Sequence, residues 1–495
     1  MKSSWNPPDR QTTLIVLVLA WITWVHARSI LIWFDWETVR FFIQPRPGQF
    51  RWITPWADSW IDLSDYGIRV ASQTLRPLMT WLFQCEVLVF GEAVSGYHVV
   101  NLLGHLTATT LLIRFLRHIG TALPTAALTG LLFGVHPLAT QPLWILGDRA
   151  EIAVLIGGLL ALIHYAHRPV IAGGALLFAL YSKETAVTIP LWMAAYDGVF
   201  IDRGVPFLRT LRFRIRRLAV PAVLTAGYLV HRFIAFKGIG GYQSVDHGHI
   251  HHVIDVVTQN IAWLLTVPQG HPILLTVLVP TVAAAFVSGQ RRICRFGIIW
   301  SILFFIPIHN LCNKWYLYTP LAAAAVIIAG AVDASIRSPY RWRIATAMML
   351  TTAIGLSLMS TAELNHQRGN AAVAPDLAQR LETQIKPLPA DARIDFVLPS
   401  PLTADSLAGH YFVPNRTPLK KVKSPLESIV WDLNSTRYLN RQPVWNRSVE
   451  AAIRLRYNDI TIRADLVESD AVPEQSVTHM RIAYNPLTRE LTWQD

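Results

Sequence analysis

Apolar residues in this chain come in runs rather than in alternation. Many runs reach roughly 15–23 residues, about the length a helix needs to cross the hydrocarbon core. The pattern predicts spanning helices near 14–34, 97–116, 122–136, 150–166, 169–183, 185–199, 218–236, 272–288, 296–309, 315–332 and 343–361. Two further apolar stretches, 76–90 and 253–267, are interrupted by polar residues and are predicted to lie on the membrane surface. Beyond 361 the runs shorten, and Pro, Asn and charged residues become common. Segments 451–457 and 460–466 alternate in the manner of strands. The expected architecture is therefore an all-α polytopic membrane domain of about eleven helices, residues 1–361. A small outer α+β or β-rich domain, 362–495, follows a polar stretch at about 363–393.

Charge orients this arrangement. With the amino terminus inside, one set of loops receives Arg114 and Arg117, then Arg168, then Arg203, Arg209, Arg212, Arg214, Arg216 and Arg217. Later loops on the same side receive Arg291, Arg292 and Arg295, then Arg337, Arg341 and Arg343. Basic residues are retained on the cytoplasmic side, which supports eleven crossings and a carboxyl terminus outside. The first run, from Thr12 to Phe34, is long, lacks a small-x-small cleavage site before Asp35, and reads as a retained anchor. Compact size and the absence of an organelle-targeting segment point to a bacterial inner membrane.

Composition agrees with a membrane protein: 52% of the 495 residues are hydrophobic and 15% charged, and 18 Trp and 14 Tyr suit aromatic belts at two interfaces. The net charge of +12 does not indicate nucleic acid, because the arginines sit between apolar segments and not along one soluble face. Cys85, Cys294 and Cys312 have unrelated spacings and form neither a disulfide framework nor a zinc pattern.

Ionisable residues at helix ends carry the candidate chemistry. Asp35 and Glu37 stand just past the first span, where a carboxylate is costly unless water or a partner reaches it. From position alone they serve equally well as a functional pair or as solvated acids that end the helix. The run His247-Gly248-His249-Ile250-His251-His252 reads first as a solvated outer loop. A metal site built on His247, His249 and His251 is the alternative. Sequons at Asn415, Asn434 and Asn446 matter only in a host that glycosylates outer-face proteins.

An ordered set of motifs carries a family resemblance. It runs Arg76-Pro77-Leu78, Gly91, Gly96-Tyr97-His98-Val99-Val100-Asn101-Leu102-Leu103-Gly104-His105, His136-Pro137, Arg149-Ala150-Glu151, Ser182-Lys183-Glu184 and Tyr196-Asp197. Asn310-Leu311 and Lys314-Trp315-Tyr316-Leu317-Tyr318-Thr319-Pro320 come later. The set resembles the polytopic glycosyltransferases of the C-type fold, in the branch related to protein O-mannosyltransferases with tetratricopeptide tails. The resemblance implies a polyprenyl-phosphate-linked sugar donor, transfer on the non-cytoplasmic side, and a catalytic carboxylate in the first outer loop, 35–96. Asp35 is the base in this reading, with Glu37 orienting the acceptor or holding a divalent cation. No cofactor is otherwise implied. Lys314, Arg149 and Lys183 are candidates to neutralise the departing phosphate, and His136, Arg76 and Tyr316 to line the cavity. The acceptor is a hydroxyl on protein, lipid or glycan, and transfer inverts the anomeric carbon.

The chain departs from that branch in several places. Its acids are spaced Asp35-x-Glu37 where relatives often have adjacent acids. His136-Pro137-Leu138-Ala139-Thr140-Gln141 lacks the second His and the acid of the usual His-Pro-x-His-x-Glu, and Lys314 stands where Arg is usual. The outer domain is not a tetratricopeptide array. These departures keep open a non-catalytic envelope assembly protein that retains the fold. A transporter fits less well, since transporter sites lie near the bilayer midplane between repeats.

Overall fold

Apolar runs that the pattern places in the membrane fall on helices wherever the computed structural model describes them. It describes residues 10–32, 60–61, 72–73, 75–91, 93–201, 207–236, 250–265, 291–308, 314–333, 339–371, 373–385, 388, 392–397, 452–453, 456–457, 462–467, 479–485 and 490–493. The helices are α1 (Arg10–His26), α2 (Pro77–Phe90), α3 (Val94–His118), α4 (Leu123–Gly134), α5 (Arg149–His164), α6 (Pro169–Leu180) and α7 (Ile189–Tyr196). They continue as α8 (Phe207–Phe236), α9 (Ile250–Leu264), α10 (Arg291–Phe305), α11 (Tyr318–Asp333), α12 (Pro339–Ala371) and α13 (Val373–Gln384). The predicted span at 272–288 lies outside the described residues.

Among the described residues, four helices are long and apolar enough to cross a membrane: Gln11–Leu31, Val94–His118, Thr210–Ala235 and Pro339–Asn365. A fifth crossing results if Leu123–Gly134 and Pro137–Trp144, bent by 62° at the break between them, count as one span. The other apolar helices are shorter than the roughly 20 residues a straight crossing needs, so length and composition support fewer crossings directly than the eleven expected. Large apolar side chains such as Val223, Phe233 and Ile234 on α8 and Met348 and Leu358 on α12 remain exposed. That is the disposition of an integral membrane protein, whose outer surface is solvated by lipid tails.

α4 is the centre of the bundle. It is apolar all round and almost wholly buried, with α1, α3, α11 and α12 packed about it. Small residues permit close crossings elsewhere. A Cβ on Gly157 of α5 would stand 2.6 Å from the Ala175 carbonyl of α6, and one on Gly297 of α10 3.0 Å from the Ala323 carbonyl of α11. Trp192, Trp300, Phe296 and Phe115 fill the junction of α3, α7 and α10, with the Trp192 and Trp300 rings 5.0 Å apart.

The two stretches predicted to lie on the membrane surface are helical, as α2 and α9. Pro77 opens α2, where its missing N–H costs nothing, and Gly91 ends it at φ +54°. Toward the carboxyl terminus, α13 precedes a four-stranded sheet of order β2-β1-β3-β4. The strands are β1 (Arg393–Val397), β2 (Arg463–Val467), β3 (His479–Asn485) and β4 (Glu490–Trp493). β1 pairs in parallel with both β2 and β3, and β3 pairs antiparallel with β4. Alternation at 460–466 thus marks a strand only from 463, whereas the strand expected across 451–457 contains helical turns at 452–453 and 456–457. The Tyr457 hydroxyl donates to the Ile385 carbonyl at 2.9 Å, tying that segment to the end of α13.

Candidate functional site

One face of α3 explains most of the longest motif. Tyr97, His98, Asn101 and His105 recur at helical spacing and are buried. His98 donates from Nδ1 to the Leu143 carbonyl at 2.8 Å, and the Asn101 amide donates to the Pro142 carbonyl at 3.0 Å. His105 donates from Nε2 to the Gly134 carbonyl at 2.9 Å, which leaves its Nδ1 to accept from the Tyr318 hydroxyl at 2.7 Å. His26 of α1 donates to the same Gly134 carbonyl at 2.7 Å. Pro137 deprives the broken span of an N–H and ends the helix. The motif therefore holds the two halves of that span by carbonyls that lipid could not satisfy.

His136 sits at the break. Its Nδ1 accepts from the Leu138 N–H at 3.1 Å, so the ring proton is on Nε2, which faces the Leu264 carbonyl at 3.2 Å. Both nitrogens of this cavity candidate are engaged, and its part is to link the break to the end of α9.

Charged side chains gather at the same end of the bundle, in pairs. Arg76, which precedes α2, grips Glu184 with two hydrogen bonds of 3.0 and 2.6 Å. Lys183 Nζ lies 2.8 Å from Glu151 Oε1, both fully buried, and 4.5 Å above the Tyr316 ring. Thr319 donates to the other Glu151 oxygen at 3.4 Å. Arg149 pairs with Glu86 of α2 and donates from Nε to the Leu146 carbonyl at 3.0 Å. Burial alone would raise the Glu184 carboxyl, but the charge and hydrogen bonds of Arg76, with help from Lys183, hold it at about 2.

Lys314 stands in the 3₁₀ turn that leads into α11. It is buried, with Nζ 5.7 Å from the centre of the Trp263 ring. Burial lowers its ammonium to about 7, against which the Glu363 carboxylate of α12 acts.

The structure thus brings Lys314, Arg149, Lys183, Arg76, Tyr316 and His136 to one end of the bundle. Lys183 pairs with Glu151 rather than with its neighbour Glu184. Asp35 and Glu37 lie outside the described residues, as do His247, His249 and the side chain of His251. Among the described residues no group of three metal-binding side chains occurs. Sequence reasoning missed Glu86 and Glu363. The first is a lone acid in an apolar helix, which is itself a signal for a buried partner.

No family model matches the chain. Over 165 residues it is 31% identical to the protein O-mannosyl-transferase Tmtc2 of Drosophila melanogaster, covering 29% of this chain and 17% of that protein. Over 126 residues it is 33% identical to the protein O-mannosyl-transferase F38B6.6 of Caenorhabditis elegans, 24% of this chain and 18% of that one. The chain spans less than a fifth of the length of these curated relatives. The crystal structure of ArnT from Cupriavidus metallidurans bound to undecaprenyl phosphate superposes with a TM-score of 0.47 at 14% identity, over 80% of this chain and 84% of that one. The resemblance read from the motifs is thus met by partial similarity to protein O-mannosyl-transferases, at about 30% identity.

Proposed function

We propose that this chain is a membrane glycosyltransferase of the C-type fold. It moves a sugar from a polyprenyl-phosphate donor to an acceptor hydroxyl on the non-cytoplasmic side, with inversion. The observation that supports this most is the crowding of buried cations and carboxylates at one end of otherwise apolar helices, beside a buried Lys314. Charges at such depth are expensive and mark sites that bind charged groups. Partial similarity to protein O-mannosyl-transferases favours sugar transfer as the use of that charge. The membrane unit is 1–361, and 362–495 forms an outer unit that presents the acceptor.

In this reading the donor enters laterally from the outer leaflet and its phosphate meets Lys314. A lipid phosphate leaves readily once its charge is neutralised, so no general acid is needed. Asp35 takes the acceptor proton as the new glycosidic bond forms, with Glu37 orienting the acceptor or holding a cation. α2, pinned at its start by Arg76 and further along by Glu86, walls the cavity.

The test is release of lipid phosphate by lipid-reconstituted protein from a panel of labelled polyprenyl-phosphate sugars, with and without chelator. Asp35→Asn is expected to lower turnover by about 10²–10⁴-fold under donor saturation. Undiminished transfer in that variant refutes the assignment. One observation favours the non-catalytic alternative: Arg149 and Lys183, two of the three cations expected to meet donor phosphate, are held by Glu86 and Glu151. Donor binding without release, unaffected by Asp35→Asn, would select it.

A further inference from the structure

We infer that Glu363 is a positioning residue for Lys314, the counter-charge to this lysine in a buried place. The inference rests on the reading of Lys314 as the phosphate-binding cation.

A chain of contacts places the two together. Ser357, Ser360, Glu363 and Gln367 recur every three or four residues along α12 and are all buried, forming a polar stripe on its packed side. Ser360 donates to the Val135 carbonyl at 2.7 Å. The next residue, His136, reaches Leu264, and the neighbouring Trp263 ring faces Lys314. Glu363 lies one turn beyond Ser360 on the same face, and its charge acts on Lys314. Gln367 fixes that carboxylate by donating to Oε1 at 2.9 Å.

Among the described residues, the other titratable groups near the turn do not supply the charge. His136 accepts from the Leu138 N–H and donates to the Leu264 carbonyl as a neutral ring does, Tyr316 lies under Lys183, and Lys183 is matched by Glu151. An arginine would remain charged when buried, whereas a lysine gives up its proton readily there. A lysine at this position therefore needs a carboxylate that an arginine would not. The arrangement has a second edge, because Glu363 also repels the phosphate it prepares for.

Those two effects make the test specific. Binding of a polyprenyl-phosphate mannose, whose phosphodiester does not titrate in this range, is measured on the lipid-reconstituted full chain from about pH 5.5 to about pH 8.5. In the unaltered protein, binding is expected to fall as pH rises through about 7. In Glu363→Gln the midpoint is expected to drop by roughly one pH unit. Binding is then roughly tenfold weaker near pH 8, and no weaker near the acid end, where the repelling carboxylate is gone. Glu363→Asp should restore most of the midpoint. Equal weakening of Glu363→Gln across the range indicates a merely structural part and overturns the inference. A requirement for Lys314, shown by loss of binding in Lys314→Gln, with an unmoved midpoint in Glu363→Gln, overturns Glu363 alone. Indifference to Lys314→Gln, including no binding by any variant, overturns the phosphate reading and this inference with it.

Discussion

The two ends of the bundle bury charge in different ways. α3, at 25 residues and about 1.5 Å per residue, separates them by roughly 37 Å. At the Lys314 end, Lys183 with Glu151 and Arg149 with Glu86 are closed off from solvent, and their chemistry is fixed by one another. At the far end His118 meets the Tyr196 hydroxyl at 3.0 Å, and Asp197 accepts from Tyr165 at 3.3 Å. Asp197 is also gripped by Arg217 at 2.8 and 3.0 Å, but the Arg217 side chain is 28% exposed. Nearby, Asp333 accepts from the Ala122 N–H at 2.9 Å and so supplies a cap to α4 from another helix. One end closes its buried charge into pairs; the other uses acids to secure helix ends beside a basic segment that reaches solvent.

The difference predicts unequal costs of breaking each pair. The largest is expected for Glu151→Gln, which strands Lys183 in the interior. Removing one partner of a buried pair costs about 3–5 kcal/mol, read as a lowered Tm of the reconstituted protein, and transfer should fall with it. Asp197→Asn should cost less, about 1.5–3 kcal/mol, because Arg217 can turn to water, and it should leave transfer intact. Equal loss of transfer in both variants would erase the distinction between the ends.

Arg76→Gln is expected to have the smallest effect, about 1 kcal/mol or less, since roughly a fifth of each partner's side chain meets solvent. Its pH dependence sharpens the comparison. The Glu184 carboxyl is held below its ordinary value of 4.5, so the pair's contribution is complete above that pH and is lost as pH falls toward about 2. Thermal unfolding of Arg76→Gln and of the unaltered chain should therefore differ near neutrality and converge across that acid window.

Much of the helical scaffold was legible because membrane helices announce themselves locally. α1, α3 and α12 follow apolar runs, and the polar interruptions that set 76–90 apart fall on α2. The broken span was legible only to 136, since the half beyond Pro137 is too short to register as a run. Pairing was not legible at all. Arg76 and Glu184 are 108 positions apart, and the obvious local partner for Lys183, its neighbour Glu184, is taken by Arg76. Parallel pairing of β1 with strands some 70 and 86 positions later was equally hidden, since alternation reports a strand but not its neighbour. Glu363 escaped notice because α12 runs ten residues past its predicted end at 361, which placed a buried acid in a supposed linker.

The break at Pro137 has a mechanical consequence. A helix interrupted inside a bundle usually supplies a hinge, because its orphaned carbonyls exchange partners as it flexes. Here the carbonyls at the interruption are individually tethered: Gly134 by two imidazoles, Val135 by Ser360, His136 by the Ala139 N–H and Pro137 by the Thr140 hydroxyl. Bending would sever several of these tethers together. The interruption therefore behaves as a fixed elbow, and any give in the bundle has to come from elsewhere.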